Sequence, residues 1–454
     1  MSHHLRPRKT GLGVIDGIML GLGSVVGAGL FVATGPAVRQ AGPAVLLAFA
    51  IGGVALVGVL TGLAEMAATN PATGGLRTYA REAFGPWLGF VIGWMYWSSG
   101  VLTMSSEVTA AALIAHLWFP HAPLWALSIF FSVVITAVNF MDTRGFGKVE
   151  DGLAVVKVAA LAAFTLTGAY FLTRGDGAGL RAIAAEGPGL ARFFPTGLRG
   201  LGASMLMVMF AYAGIQVVAM AAPDTKDPPR TVPRLIRGLI VTVLVLYLSA
   251  FTVLLLVIPW RELTPGVSPF VQAVQRLGLT RIDGVFALVI LTAALSSLNS
   301  ALFSVSRMLR ALALDGEAPR AFARESRLGV PTWSTAASGV VLALAALVAY
   351  ILPHQAYVLV TSASGFIAMF NWTVIALTHI RYRPVLMRRR SGGLVYRAWG
   401  YPYLSLLTAA IAIGVLLTTP LVPGQLPGLI VGTALFGLVN AVYVLFIRKR
   451  SRPA

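Results

Sequence analysis

Twelve apolar stretches divide the chain, and each approaches the ~20 residues an α-helix needs to cross a bilayer core of ~30 Å. They run at about 14–35, 43–69, 87–119, 123–141, 149–173, 197–222, 235–259, 284–312, 332–352, 356–380, 401–419 and 427–447. A segment in hydrocarbon must satisfy its own backbone N–H and C=O groups, which in runs of this length only a helix does. The pattern predicts an all-α integral membrane protein of twelve transmembrane helices. Connections are short apart from about 174–196, 260–283, 313–331 and 381–400, so no soluble domain is expected. Composition points the same way: 57% of residues are hydrophobic and only 11% charged, too little charge to coat a water-soluble surface and too much apolar side chain for disorder.

The position of the cations decides what the net charge of +19 means. An even number of helices puts both termini on one side. Of the thirty-five Lys and Arg residues, twenty-six then fall on the side of the termini and eight on the other, with Lys157 alone inside a span. Cations collect in cytoplasmic loops of membrane proteins. Both termini are therefore expected in the cytoplasm, the location is the cytoplasmic membrane, and the basic charge implies no nucleic-acid partner. No cleavable signal peptide is visible: Met1 to Lys9 is polar and basic, and the following apolar run lacks a small-residue cleavage site. The amphipathic segment Pro269 to Leu279 reads as an interfacial helix.

Several residues do not suit a lipid-facing helix. The first stretch contains Gly21-Leu22-Gly23-Ser24-Val25-Val26-Gly27-Ala28-Gly29, whose four glycines mark either close helix packing or a break. The sixth contains Phe210-Ala211-Tyr212-Ala213-Gly214-Ile215-Gln216 at comparable depth, and five helices separate the two. In secondary transporters two such interruptions meet at the midplane, where half-helix amino ends face an anion and freed carbonyls a cation. A zwitterionic amino acid supplies both partners. Its carboxylate suits the N–H groups around Gly27, Ala28 and Gly29, and its ammonium the carbonyls near Val25 and Phe210.

Glu107 lies about twelve residues, or roughly 18 Å, from the end of its span. That is too deep to reach water, so it faces a cavity or a partner, as a structural acceptor or in the substrate or proton path. Glu65, near a helix end, suits an ion pair or interfacial exposure. Lys157 either snorkels to the interface or is an internal ammonium whose charge desolvation opposes. Ser296, Ser297, Asn299 and Ser300 form a polar cluster in an apolar run. Zero cysteines, six histidines without ligand spacing and the lack of a Walker sequence leave no support for a metal site, a cofactor, ATP-driven pumping or an enzyme.

Taken in order, several motifs make the chain resemble the amino acid-polyamine-organocation transporters, bacterial amino-acid permeases for aromatic, GABA, lysine and proline substrates above all. These are Gly27-Ala28-Gly29-Leu30-Phe31, Glu65-Met66-Ala67, Gly85-Pro86-Trp87, Glu107-Val108-Thr109-Ala110-Ala111, Val156-Lys157-Val158, Phe210 to Ile215, Ala294 to Ser300 and Ser306-Arg307-Met308-Leu309. The resemblance covers nearly the whole chain. It implies two inverted five-helix repeats, 14–173 and 197–380, with helices 1 and 6 discontinuous, then two further helices at 401–447, between a cytoplasmic segment 1–13 and a tail 448–454. It also implies that Gly27 to Gly29 bind a substrate carboxylate, and that Phe210, Tyr212 and Gly214 help bind the amine and shape the side-chain pocket. In related proton-coupled carriers a lysine matching Lys157 stands where others bind sodium; Ser296 and Ser297 would supply hydroxyls to it.

The expected function is import of an amino acid by proton symport through alternating access; the alternatives are an exchanger on the same fold and a sensor that binds without transport. Two departures bear on substrate. Gln216 replaces the glutamate many of these permeases carry, so the pocket lacks a fixed negative charge and neutral or aromatic amino acids are favoured over cationic ones. Asp16, in an entrance region, has no assigned role.

Orientation gives a first test. The six arginines between Arg381 and Arg397 place that loop in the cytoplasm, so a Ser391→Cys variant of this cysteine-free chain should resist impermeant thiol reagents in intact cells. Rapid labelling from outside sealed cells would invert the topology.

Overall fold

A computed structural model describes residues 12–448 except 73, 142, 176, 187–188, 265–266, 280–282, 352–355, 390–392 and 423. Among the described residues the chain is helical and contains no strand beyond one isolated bridge. The first apolar stretch is divided into α1 (Val14–Val25), α2 (Ala28–Phe31) and α3 (Thr34–Ala41), followed by α4 (Val45–Thr69), the short α5 (Leu76–Phe84) and α6 (Pro86–His116). Then come α7 (Leu124–Val138), α8 (Thr143–Thr173), the small α9 (Ala178–Ala185) and α10 (Leu190–Phe193), and a second interrupted pair, α11 (Gly197–Ala211) and α12 (Val217–Ala221). The remainder comprises α13 (Pro228–Val257), α14 (Pro269–Arg276), α15 (Asp283–Leu314), α16 (Thr332–Ile351), α17 (Ala356–Arg389), α18 (Tyr403–Thr418) and α19 (Leu426–Val442).

Eight helical stretches among the described residues are long and apolar enough to cross a membrane. Large apolar side chains such as Leu166, Val241 and Leu438 are exposed along them, as are Val133 and Val340 on two shorter apolar helices, a pattern untenable in water and expected against lipid. Inside, α6 lies along α15 and α17, α4 along α13, and α1 is enclosed by α8, α13 and α15. An aromatic column runs through this core: Phe49 stacks on Phe251 at 4.1 Å, and Phe251 meets Phe270 of α14 edge-on at 5.5 Å. Phe270 also touches Phe31 and Phe164. Thus α14, which reads as an interfacial helix, instead buries its apolar face in protein; side chains from α2, α8 and α13 take the place of lipid.

Two polar clasps close the end of the bundle that holds Leu12. Leu12 donates its N–H to Asp224 O and accepts from Lys226 N, both at 2.9 Å, while Arg307 Nε lies 3.2 Å from Asp224 Oδ2. This joins the start of α1 to the segment after α12 and to α15. The second clasp centres on buried Arg77 of α5, whose Nη1 and Nη2 reach Asp315 and Glu317, just beyond α15, at 2.5 Å each. Arg81, on the rim, reaches Asp315 at 2.8 Å. Glu65, fully buried rather than interfacial, accepts from Ala398 N at 2.6 Å and faces His379 and Arg383 of α17 at 3.2 and 3.4 Å.

The Arg77 clasp makes a prediction about stability and pH. Removing one partner of a buried pair leaves the other uncompensated, costing roughly 3–5 kcal/mol, whereas a rim ion pair contributes about 0–1 kcal/mol. Arg77→Ala should therefore lower the thermal midpoint far more than Arg81→Ala. Burial raises the Glu317 carboxyl above its ordinary value although Arg77 pulls it down. A raised native value means this group's contribution to stability falls as pH rises through the interval between the ordinary and raised values. Loss of Arg77 raises it further, so the Arg77→Ala deficit should shrink on acidification. A deficit independent of pH, in unfolding monitored by intrinsic fluorescence, would place the damage elsewhere.

Candidate functional site

A helix interrupted in the middle of a bundle leaves N–H and C=O groups that water does not reach, and each needs a partner. At the first break α1 stops at Val25, Val26 and Gly27 leave the helical conformation, and α2 starts at Ala28. Four side chains from four other helices meet the freed groups. Lys157 of α8 donates Nζ–H to Gly23 O at 2.5 Å, and Ser297 of α15 donates to Ser24 O at 2.9 Å. Tyr247 of α13 donates to Val25 O at 3.0 Å, and Glu107 of α6 accepts from Ala28 N at 2.8 Å.

The second break, between α11 and α12, is fastened to the first. Tyr247 Oη also lies 3.0 Å from Ala211 O, and Ser24 donates to Gly214 O at 2.9 Å. Gly214 has φ +92°, and a Cβ there would stand 2.6 Å from Ser24 Oγ, so both conformation and contact demand glycine. The glycine-rich run of α1 is therefore a break as well as a packing surface: a Cβ at Gly23 would fall 1.8 Å from Glu150 Oε1.

Glu150 is the group that sequence reasoning passed over, because it stands at the edge of its apolar stretch. It is 1% exposed, accepts from Asn299 Nδ2 at 2.9 Å and from the Ser296 hydroxyl, and underlies Gly23. The seven-residue interval to Lys157 is two helical turns and places both on one face of α8, which was the available signal. Lys157 is 0% exposed, so it does not snorkel. Asn139, which caps the end of α7, extends the cluster, with Nδ2 2.7 Å from Asn299 Oδ1. Of the expected lysine partners, Ser297 meets the next carbonyl and Ser296 meets Glu150.

Two cavities lie beside the breaks. One is bounded by Ala33 and Pro36 of the first interrupted stretch, Leu206, Met207 and Phe210 of α11, and Thr361 and Ser362 of α17. The other, at mid-depth, receives Ser24, Ala213, Gly214 and Gln216 from the breaks and faces α6, α15 and α17. Phe210 belongs to the first cavity and its ring lies against Gly29; Gly214 belongs to the second. Tyr212 lines neither: its hydroxyl donates to Phe49 O at 3.0 Å and its ring stacks on Tyr247. The side chain of Val25 is buried in the core. Among the described residues no group of His, Asp and Glu is arranged to hold a metal ion.

Tyr247→Phe isolates the fastening of the breaks, since the ring and its stacking survive while both hydroxyl contacts go. The variant should insert and express but lose about 1–3 kcal/mol of stability, the cost of leaving buried carbonyls unpaired. Unfolding unchanged from wild type would show that other groups hold Val25 O and Ala211 O.

The model of the family described as amino acid permease matches residues 16–447. Similar curated proteins include the uncharacterized amino acid permease YtnA of Bacillus subtilis, 34% identical over 94% of this chain and 92% of that protein, and the gamma-aminobutyric acid permease of the same organism, 31% identical over 95% and 92%. The aromatic amino acid transport protein AroP of Escherichia coli K12 is 33% identical over 88% of each chain. Among solved structures, MhsT in complex with L-phenylalanine aligns over 90% of this chain and 98% of its own with a TM-score of 0.64 at 16% identity, a likeness of fold. With a family match along almost its full length and relatives above 30% identity over most of theirs, the chain belongs to the amino acid permease family.

Proposed function

We propose that this permease imports an amino acid across the cytoplasmic membrane by proton symport, with the substrate held in the mid-depth cavity between the two breaks. The observation that carries the reading is that the two interrupted helices, α1–α2 and α11–α12, are tied together through Ser24 and Tyr247, and that Ser24 of the first and Ala213, Gly214 and Gln216 of the second line one cavity. A free amino acid brings a carboxylate for the amino end at Ala28 and Gly29 and an ammonium for carbonyls at the breaks. The order of helices fits two five-helix repeats followed by α18 and α19.

Two internal charges supply a route to proton coupling. The Glu107 carboxylate occupies the Ala28 N–H. A substrate carboxylate arriving there meets a like charge, which Glu107 escapes by taking a proton or by leaving the half-helix end. Lys157 stands at Gly23 O, where its ammonium is the donor that satisfies a carbonyl in the middle of the bundle. Its deprotonation withdraws that cation and loosens α1 from α8. Coupling then follows from the different proton affinities of the two arrangements. The clasps at Leu12, Asp224 and Arg307 close the cytoplasmic end while the cavity loads.

Proteoliposomes test this directly. Wild-type uptake should be concentrative with an inward proton gradient and indifferent to sodium. Lys157→Ala should insert, bind substrate and lose concentrative uptake, retaining at most exchange. Full pH-driven accumulation by the alanine variant would remove Lys157 from coupling and leave Glu107 as the proton carrier; uptake dependent on internal amino acid would make the protein an exchanger.

A further inference from the structure

We infer that the mid-depth cavity selects neutral amino acids whose side chains end in an amide or a hydroxyl, with Asn371 and Gln216 reading that end group. The inference rests on the amino-acid carrier reading above and narrows its substrate class.

The cavity has two chemically different walls. One is the break surface, where Ser24, Ala213 and Gly214 present mostly backbone. The other comes from α6, α15 and α17 and carries Tyr96, Thr103, Ser304 and Asn371, and Gln216, just before α12 at the second break, completes the polar lining. No lining side chain is charged. The hydroxyls are already engaged: Tyr96 pairs with Ser304, and Thr103 pairs with Ser364 at 2.6 Å and donates to Ser99 O at 3.0 Å. Asn371 differs. It is 1% exposed, and its Oδ1 has no hydrogen-bond partner.

A buried amide oxygen without a donor is costly, and what next occupies the space beside it decides whether the cost is relieved. An aliphatic or aromatic side chain would cover Oδ1 and keep it dry. A cationic or anionic side chain would enter a wall with no counter-charge, leaving a buried charge unpaired. A side-chain amide or hydroxyl donates to Oδ1, and Gln216 offers both a donor and an acceptor for the rest of that group. Gln216 thus acts as a neutral reader of the side chain.

The test is ligand-dependent thermal stabilisation and competition binding on the purified full-length protein, with glutamine, asparagine, threonine, alanine, leucine, phenylalanine, lysine and glutamate as probes. Wild type should bind its best amide or hydroxyl ligand at least about tenfold tighter than leucine, phenylalanine or either charged probe, the scale of one unsatisfied buried acceptor. Asn371→Leu should weaken that ligand about tenfold or more, leave alanine unchanged and improve leucine; Asn371→Ser, a smaller polar replacement, gives the same comparison should the leucine variant fail to fold. A wild type that prefers an aromatic, aliphatic or charged probe overturns the substrate class while leaving amino-acid transport intact. An Asn371 variant that weakens alanine as much as glutamine would assign Asn371 to the ammonium and overturn its role here. A folded, monodisperse wild type that binds none of the probes overturns the carrier reading itself.

Discussion

The carbonyls of Gly23, Ser24 and Val25 and the N–H of Ala28 lie in the interior of a bundle whose surroundings offer them no bulk water, and the rest of the site is arranged around that fact. Each group is met by a side chain from a different helix: Lys157, Ser297, Tyr247 and Glu107. An unpaired buried backbone group costs about 1–3 kcal/mol, so four of them would rival the net stability of many domains, ~5–15 kcal/mol. The break in α1 therefore exists only because α6, α8, α13 and α15 converge on it. Two of those helices, α6 and α8, bring a charged side chain into an apolar core, each held there by a backbone group that the break sets free.

The charged groups also constrain one another. Lys157 is fully buried on the face of α8 that carries Glu150, and Glu107 approaches from α6 on the far side of the break. Glu150 is held by Ser296 and Asn299, and Asn299 is held in turn by Asn139, so the acid below Gly23 sits in a hydrogen-bonded cradle. Glu107 bonds to the break itself. One carboxylate is fixed by side chains of surrounding helices; the other is fixed by a backbone N–H of the break. This asymmetry ties Glu107 to the first break and Glu150 to the helices around it.

Long polar contacts organise the periphery by the same rule. Arg77, Glu65 and Asp224 each tie a loop or short helix to a long one at the Leu12 end. The rows of unpaired leucine and valine on the outside are left for lipid. Polar groups thus occur where helices must be held in register or must part, and apolar ones where only packing is needed.

Apolar runs near twenty residues were enough to establish helices in a membrane, because hydrocarbon permits little else. Four glycines within nine residues, matched by Gly214 in the sixth run, marked both interruptions, since glycine at those depths has no propensity to recommend it. Glu107 and Lys157 stood out because isolated charges in apolar runs must be held by something. Sequence alone left open what held them. Tyr247 looks like any aromatic in a core helix until its hydroxyl is found between Val25 O and Ala211 O, 222 and 36 residues away. Glu150 looked like a helix-end acid, and α14 like a surface helix, because burial depends on which neighbours cover a face and not on the face itself. Asn371 carries no local signal at all: its free oxygen is defined by the helices around it. Local chemistry wrote the breaks and the charges into the chain, while the partners that make them a site come from residues 36 to 273 positions apart and were decided by packing.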